Sequence, residues 1–474
     1  MSSRRLVGID LGIASAHTVR VLDEQGKTLA KRKAWPTEVS LSDVEKTALA
    51  GAPQGTVLEV VMEPTGPAWL PLAVFFSARG HRVYRVSSAK AADLRRFLSR
   101  HTKTNGIDAD TLARLPIFDP EGLQPLVLPG VEQAALDRRV RATDRLTRAG
   151  AEHKRRIKDL VRQLLPMTPL TGDLGVADLA VLERYADPNA LLRAGVKRLT
   201  SLIEKASYRH QGAERAQQWL EAARLSIELY AGHPAVAFAD LAAEVATEVR
   251  LLRAIQAELA THAAAREEAY RWVDPLELAR SLPGVAEIGG PALVAAIGDP
   301  TRFRTGKAFR SYTGLVPKAS ETGETDRKGQ PMSKAGSSLL RTTLIRAADN
   351  ARHVDPQLAR IYYVQMVERG KDHLGALCVV AANLAERFWT VMNRQMPYVI
   401  CDTNGHSVTA AEAKTIITEN WTVPPEVRAR RRSRKTTKAG KAPQTVPAGQ
   451  PTRGDLPRPR SSTRPSASVN RRTA

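Results

Sequence analysis

The N-terminal part of the chain alternates short apolar runs with polar breaks. Leu6–Asp10, His17–Leu22 and Thr28–Lys33 each read as a strand, and their close spacing predicts a three-strand meander. A helix is predicted around Leu41–Ala50. Thr56–Met62, TVLEVVM, is continuous and rich in β-branched residues, the pattern of a strand buried on both faces. Trp69–Ala78 predicts a helix, Arg82–Val86 a further strand, and Ala89–Arg100 and Asp108–Leu115 two more helices.

From about Val131 the apolar period lengthens. Leu136, Val140, Leu146, Ile157, Leu160 and Leu164 stand on a strongly basic background, and Leu241–Leu259 repeats the pattern with Val245, Val249, Leu252 and Ile255. These stripes predict long helices that close as a hairpin, dimerise as a coiled coil or pack as ordinary helices. Residues 170–240 carry no pattern that assigns elements. Farther on, Leu339–Arg352, Leu358–Glu368 and Ala376–Met392 predict helices framing a polar, glycine-rich loop. Four regions follow: an α/β domain at 1–130, a helical linker and dimerisation region at 131–272, a mainly α domain at 273–405 and a basic disordered tail at 406–474. Arg430, Arg431, Arg432, Arg434, Lys435, Lys438 and Lys441 crowd that tail among Pro, Ser and Thr, a composition that buries no core.

The order βββαβαβα at the N-terminus is the one ribonuclease-H-like domains use. Charge narrows the partners. Across 474 residues, 71 Lys+Arg face 49 Asp+Glu, a formal net charge of +22, which points to a polyanion. No apolar run reaches the ~18 residues of a spanning helix, and MSSRRLVGID does not open a secretory signal, so no membrane role is expected. Cys378 and Cys401 are the only cysteines; their scarcity suits a reducing cytoplasm, at the nucleoid, and neither a disulfide framework nor a structural zinc site. No HExxH, Walker loop or GxGxxG occurs.

Asp10 ends the first strand between two glycines, in GIDLG. Actin-like ATPases and metal-dependent nucleases both begin this way, but the second glycine-rich phosphate loop of the ATPases is missing. Glu63 follows the fourth strand directly, and Asp108 and Asp110 open a later helix. Acids at these positions suit two Mg²⁺ ions roughly 4 Å apart, clamping the attacking and leaving oxygens of a phosphodiester. In the third region, LARSLPGVAEIGGPALVAAIGD has the shape of a helix-hairpin-helix, whose Gly284, Gly289 and Gly290 would let the backbone approach a phosphate; a tight turn between packed helices is the competing reading. Arg302, Arg304, Lys307 and Arg310 form a basic rim after it.

GIDLG, VVMEPTGPAWLPLA, KTNGIDADTLA, LPGVAEIGGPALVAAIGDPTRFRTGKAFRSYTGLVP and SETGETDRKGQPMSKAGSSLLRTTL, in this order, resemble the IS-one-ten family of insertion-sequence transposases, which includes bridge-RNA-guided recombinases. The similarity covers about residues 4–165 and 275–400. It implies a RuvC-like domain with a DEDD metal site binding Mg²⁺, a coiled-coil linker, and a C-terminal transposase domain with a nucleophilic serine. Mapped onto this chain, the acids are Asp10, Glu63 and Asp108, but the third position is Asn105, an amide that brings no charge; Asp110 is a possible substitute if the helix begins only after Asp108. In the family the serine precedes a glycine. Gly323 then puts Thr322 at the nucleophile position, with the less hindered Ser320 two residues earlier and Ser333 a third candidate. Lys318, Arg327, Lys328, Lys334 and Arg341 supply a cationic setting for a pentavalent phosphorane.

The sequence thus predicts a transposase or site-specific recombinase acting on donor and target DNA, with a guide RNA implied by the resemblance and a homo-oligomer, dimer or tetramer, completing a composite site. A RuvC-like nuclease without a covalent intermediate, and an inactive nucleic-acid-binding relic, are the alternatives.

Overall fold

The computed structural model describes residues 3–429 other than 65, 99–103, 171, 232, 234, 319–320, 323–324 and 327–329. The chain forms two units, one of residues 1–277 with 290–300, the other of residues 278–289 with those from 301 on.

The first unit opens on β1 (Arg4–Asp10), β2 (His17–Leu22), β3 (Thr28–Ala34), α1 (Glu38–Leu49), β4 (Val57–Met62), α2 (Trp69–Ala78), β5 (Arg82–Arg85), α3 (Ser88–Leu98) and α4 (Asn105–Phe118). The sheet order is β3-β2-β1-β4-β5; β1 runs antiparallel to β2 and parallel to β4. This is the ribonuclease-H/RuvC-like topology. Alternation sorts the side chains. Val7, Ile9, Val19, Val21, Val60 and Met62 bury against Leu41, Val44, Leu72 and Phe76 of α1 and α2. Leu6 and Val61 face the other way, onto Ala113, Leu112 and Leu115 of α4.

Gly8 explains how closely α4 lies on the sheet. A Cβ at Gly8 would stand 1.9 Å from the Ala109 carbonyl oxygen and 2.4 Å from the Ala113 nitrogen. Only glycine leaves room for helix backbone to rest on strand backbone here.

α5 (Val131–Leu164) and α9 (Phe238–Val273) form a long antiparallel pair. Gly150 meets Leu252 and Ile255, while His153 and Arg156 reach Glu248, so numbers rising on α5 meet numbers falling on α9. The hairpin reading of the basic stripes is thus realised inside one chain. α6 (Val176–Tyr185), α7 (Pro188–Ala206) and α8 (Ala213–Tyr230) fill the region that carried no legible pattern, joining the C-terminal part of α5 and the N-terminal part of α9 in one core around Trp219, Leu199 and Ile203.

A 3₁₀ turn (Leu278–Ser281) opens the second unit; α10 (Gly289–Ile297) belongs, but for its first residue, to the first, and the second continues with α11 (Gly306–Thr313), β6 (Glu321–Thr322), β7 (Thr325–Asp326), α12 (Ser338–Ala351), α13 (Pro356–Tyr363), α14 (His373–Arg394) and α15 (Ala410–Asn420). The helix predicted to run to Glu368 changes to π geometry over Val364–Glu368. By length and mean composition alone α14 could cross a membrane, although Asn383, Glu386 and Arg387 interrupt its apolar run. Instead it is the central helix of this unit, burying Val380, Ala381, Leu384, Ala385 and Phe388 among α11, α12 and α13.

Two expectations change. α4 begins at Asn105, not after Asp108, because the Thr104 side chain caps it by accepting from the Ile107 N–H. The tail expected from 406 first forms α15, started by a reciprocal capping box between Thr409 and Glu412 and anchored through Ala413 and Ile417. The arginine-rich stretch from Arg430 lies outside the described residues.

Candidate active site

Register places the first two acids. Ile9 pairs with Met62 in the parallel β1–β4 ladder, so Asp10 and Glu63 follow side by side on neighbouring strand ends, which lie about 5 Å apart. Asp10 is two residues beyond Gly8 and Glu63 two beyond Val61, which puts both on the α4 face of the sheet. Both are half-buried.

α4 supplies the rest. Ala113 packs beside Leu6 and Ala109 over Gly8, so the helix descends along β1 and its first turn arrives at the Asp10 end. Asn105 and Asp108, three apart, share a helix face there. Asn105 is exposed; Asp108 is half-buried and held by Arg95 of α3, whose Nη1 donates to Oδ1 at 2.8 Å. Asp110 is turned roughly 200° around the helix from Asp108. It accepts from Arg114 Nε at 2.8 Å, a partner one helical turn on. The early helix start therefore removes the condition under which Asp110 was a substitute ligand.

Among the described residues no group of three His, Cys, Asp or Glu is close enough together to hold a metal ion. The donors are right in kind, hard carboxylate oxygens at one sheet edge, but a guanidinium stands where a divalent cation would meet Asp108.

Sequence reading missed Arg95, whose role depends on α3 crossing α4. It also missed a basic shelf. Asp10 pairs with Thr18, and Thr18 with Lys33; in the next row Arg20 pairs with Lys31. All four share the α4 face with Asp10. The signal was present in the sequence as Lys31-Arg32-Lys33 on a predicted strand, whose alternation puts two cations on one face.

In the second unit the polar loop is a ribbon. The Lys318 N–H donates to the Pro331 carbonyl at 2.9 Å and the Ser333 N–H to the Val316 carbonyl at 2.8 Å, while at the tip β6 pairs with β7. Thr322 sits on β6; Ser320, Arg327 and Lys328 lie outside the described residues. The Ser333 hydroxyl is engaged at the ribbon base, donating to the Gly314 carbonyl at 3.3 Å. Arg341 Nη1 is engaged likewise, with Gly336, Lys334 and Thr313 carbonyls at 2.6, 3.2 and 3.4 Å. Lys318 and Lys334 are exposed.

Of the rim, Arg304 and Lys307 are exposed, Arg302 lies over the Phe303 and Tyr312 rings, and Arg310 pairs with Glu386 at 2.7 Å. Gly284 has φ +76°, and a Cβ there would stand 2.1 Å from the Ala347 carbonyl oxygen. Its close approach is to α12, the tight-turn alternative, rather than to an open phosphate site. Gly289 lies against Val285 and Thr343.

The model of the Transposase IS116/IS110/IS902 family matches residues 276–363, and that of the IS110-type DEDD transposases matches residues 7–166. Together they span about half the chain, taking in Asp10, Glu63, Asp108 and the whole ribbon. The chain belongs to the IS110/IS116 family of DEDD transposases. Its similarity to the insertion element IS110 protein of Streptomyces coelicolor is 27% identity over 79% of this chain and 90% of the relative. To the IS116 protein of Streptomyces clavuligerus it is 24% identical over 81% and 94%. To the IS900 protein of Mycobacterium paratuberculosis it is 25% identical over 82% and 96%. At the level of the family, this IS110-type protein is a transposase, an enzyme of DNA breakage and rejoining.

Proposed function

We propose that the chain moves its insertion element by cutting and rejoining DNA through a hydroxyl nucleophile supported by an acidic metal site, with a structured RNA of the element as guide. The observation that carries this is the in-register placement of Asp10 and Glu63 beside the first turn of α4. Asp10, Glu63 and Asp108 would hold Mg²⁺, with Asn105 as a neutral fourth donor. When bound, two such ions neutralise charge on the reacting phosphate oxygens. The Ser320 or Thr322 oxygen attacks phosphorus as the bond from phosphorus to the leaving sugar oxygen breaks. The proton the hydroxyl loses is balanced by the one the sugar oxygen gains, and attack by the sugar hydroxyl of a new strand restores the side chain. Because the phosphoester conserves the bond, rejoining needs no nucleotide triphosphate. Guidance by RNA is supported by the family resemblance and by the net charge of +22.

The test is strand exchange between donor and target DNA in Mg²⁺, with the element's transcript added or withheld. Loss of exchange in Asp10→Ala and Glu63→Ala, with retained folding, is expected; exchange undiminished in both would end the proposal. A second reading, a nucleic-acid-binding relic, is favoured by Asn105 and by the Arg95–Asp108 pair. It calls for binding without any Mg²⁺-dependent cleavage.

A further inference from the structure

The basic shelf does no work in the reading above. Arg20, Lys31 and Lys33 lie on the α4 face of β2 and β3, Lys33 in the row that runs through Thr18 to Asp10 and Arg20 with Lys31 in the next. With Thr18, Asn105 and Gly106 they line an open depression of about 420 Å³. Arg20 sits over Gly106, where a Cβ would come 2.5 Å from Nη2, so this cation leans on the N-terminal turn of α4. Lys33 Nζ donates to the neutral Thr18 hydroxyl at 2.7 Å; Arg32 also borders the depression, and among the described residues no carboxylate lines it.

Lysines on an edge strand also guard against strand pairing between molecules. That does not explain Arg20, which belongs to the interior strand β2. Lys31 and Lys33, two residues apart on one strand, are spaced by about 6.7 Å. That spacing is comparable to neighbouring phosphates of an extended single strand. The N-terminal end of the α4 dipole adds further anion affinity at the same place.

We infer that this shelf is a track for the phosphates of one DNA strand, leading it across β3 and β2 to the Asp10–Glu63 edge. The inference rests on that edge being where the strand is cut, and it assigns Arg20, Lys31 and Lys33 to positioning rather than chemistry.

The experiment measures binding of a fluorescent single-stranded DNA by the full chain in EDTA, so no cleavage is needed, over a series of salt concentrations. Lys31→Glu/Lys33→Glu is compared with Lys27→Glu/Lys46→Glu, a control with the same charge change at exposed sites off the shelf. The shelf variant should lose about tenfold or more in affinity and its slope of log affinity against log salt should flatten by about 1.4, two phosphates at ~0.7 each. The control should stay within about twofold. Lys31→Gln/Lys33→Gln, which introduces no repulsion, should show the same flattening, with thermal unfolding unchanged. Equal losses in shelf and control variants overturn the track. A larger loss on RNA of the same sequence than on DNA overturns its assignment to DNA. A chain inert in strand exchange that still shows the shelf effect keeps the track and loses the transposition reading; active exchange with wild-type binding in the shelf variants does the reverse.

Discussion

Arg95 and Asp108 are joined across two helices, Nη1 to Oδ1 at 2.8 Å, so one proposed metal ligand begins with a cation already on it. A divalent ion has to compete with that guanidinium for the carboxylate's charge. Arg95→Gln should therefore tighten Mg²⁺ or Mn²⁺ binding by about fivefold, the ~1 kcal/mol of a partly exposed ion pair, in calorimetric titration. Unchanged affinity would mean that Asp108 does not bind the ion.

Asn105 shares the helix face of Asp108 and offers only an amide oxygen. Restoring a carboxylate there adds a full charge to the site. Asn105→Asp should raise metal affinity by about tenfold and lower the Mg²⁺ concentration needed for strand exchange. A variant that binds metal no better places the fourth ligand elsewhere.

The two hydroxyl candidates separate cleanly by substitution. Ser320→Ala is expected to abolish strand exchange and the covalent protein–DNA species on a denaturing gel, while Thr322→Ala keeps both. The opposite pattern moves the nucleophile to β6; Mg²⁺-dependent cleavage that survives in the double variant, with no covalent species formed by the wild type, leaves a metal-dependent nuclease.

Gly8 has helix backbone where a side chain would go. Gly8→Ala should destabilise the first unit by at least about 3 kcal/mol, read as a lower denaturation midpoint with an unchanged slope. A loss within about 0.5 kcal/mol would mean that α4 rides higher on β1 than described.

Burial of Glu248 opposes its ionisation, but hydrogen bonds from His153 and Arg156 outweigh this and hold its carboxyl below the usual range. The folded value is depressed, so its stabilisation is present above the ordinary value of about 4.5 and is lost as pH falls through the lower, folded one. Urea midpoints should fall more steeply between about pH 5 and 3 in the wild type than in Glu248→Gln, which is less stable at pH 7. Parallel curves would show that the trio contributes nothing.

The central strands were legible in the sequence because they bury one or both faces in a short run: Leu6–Asp10 became Arg4–Asp10 and Thr56–Met62 became Val57–Met62. α6 to α8 were not, since Leu179, Leu199 and Trp219 each contribute a narrow stripe to a shared core and Gly195, with φ +69°, breaks the period of α7. Asp10 and Glu63 were legible as strand-end acids. Arg95, the partner of Asp108, was not, because only the crossing of α3 over α4 brings the two together. α15 hid in polar composition, as it buries little beyond Ala413 and Ile417, although its Thr409–Glu412 spacing marks a helix start.

The antiparallel pairing of α5 with α9 means that the chain sets out at Val131 and comes back near Val273 having travelled out and home along one rod. Its 34-residue outward helix measures about 51 Å. Such a rod behaves as a telescoping ruler. Taking seven residues out of each helix at matching depths would draw its far end in by about 10 Å while the same faces still meet. Cutting one helix alone would force the apolar faces out of step, so this reach can change only through paired insertions or deletions.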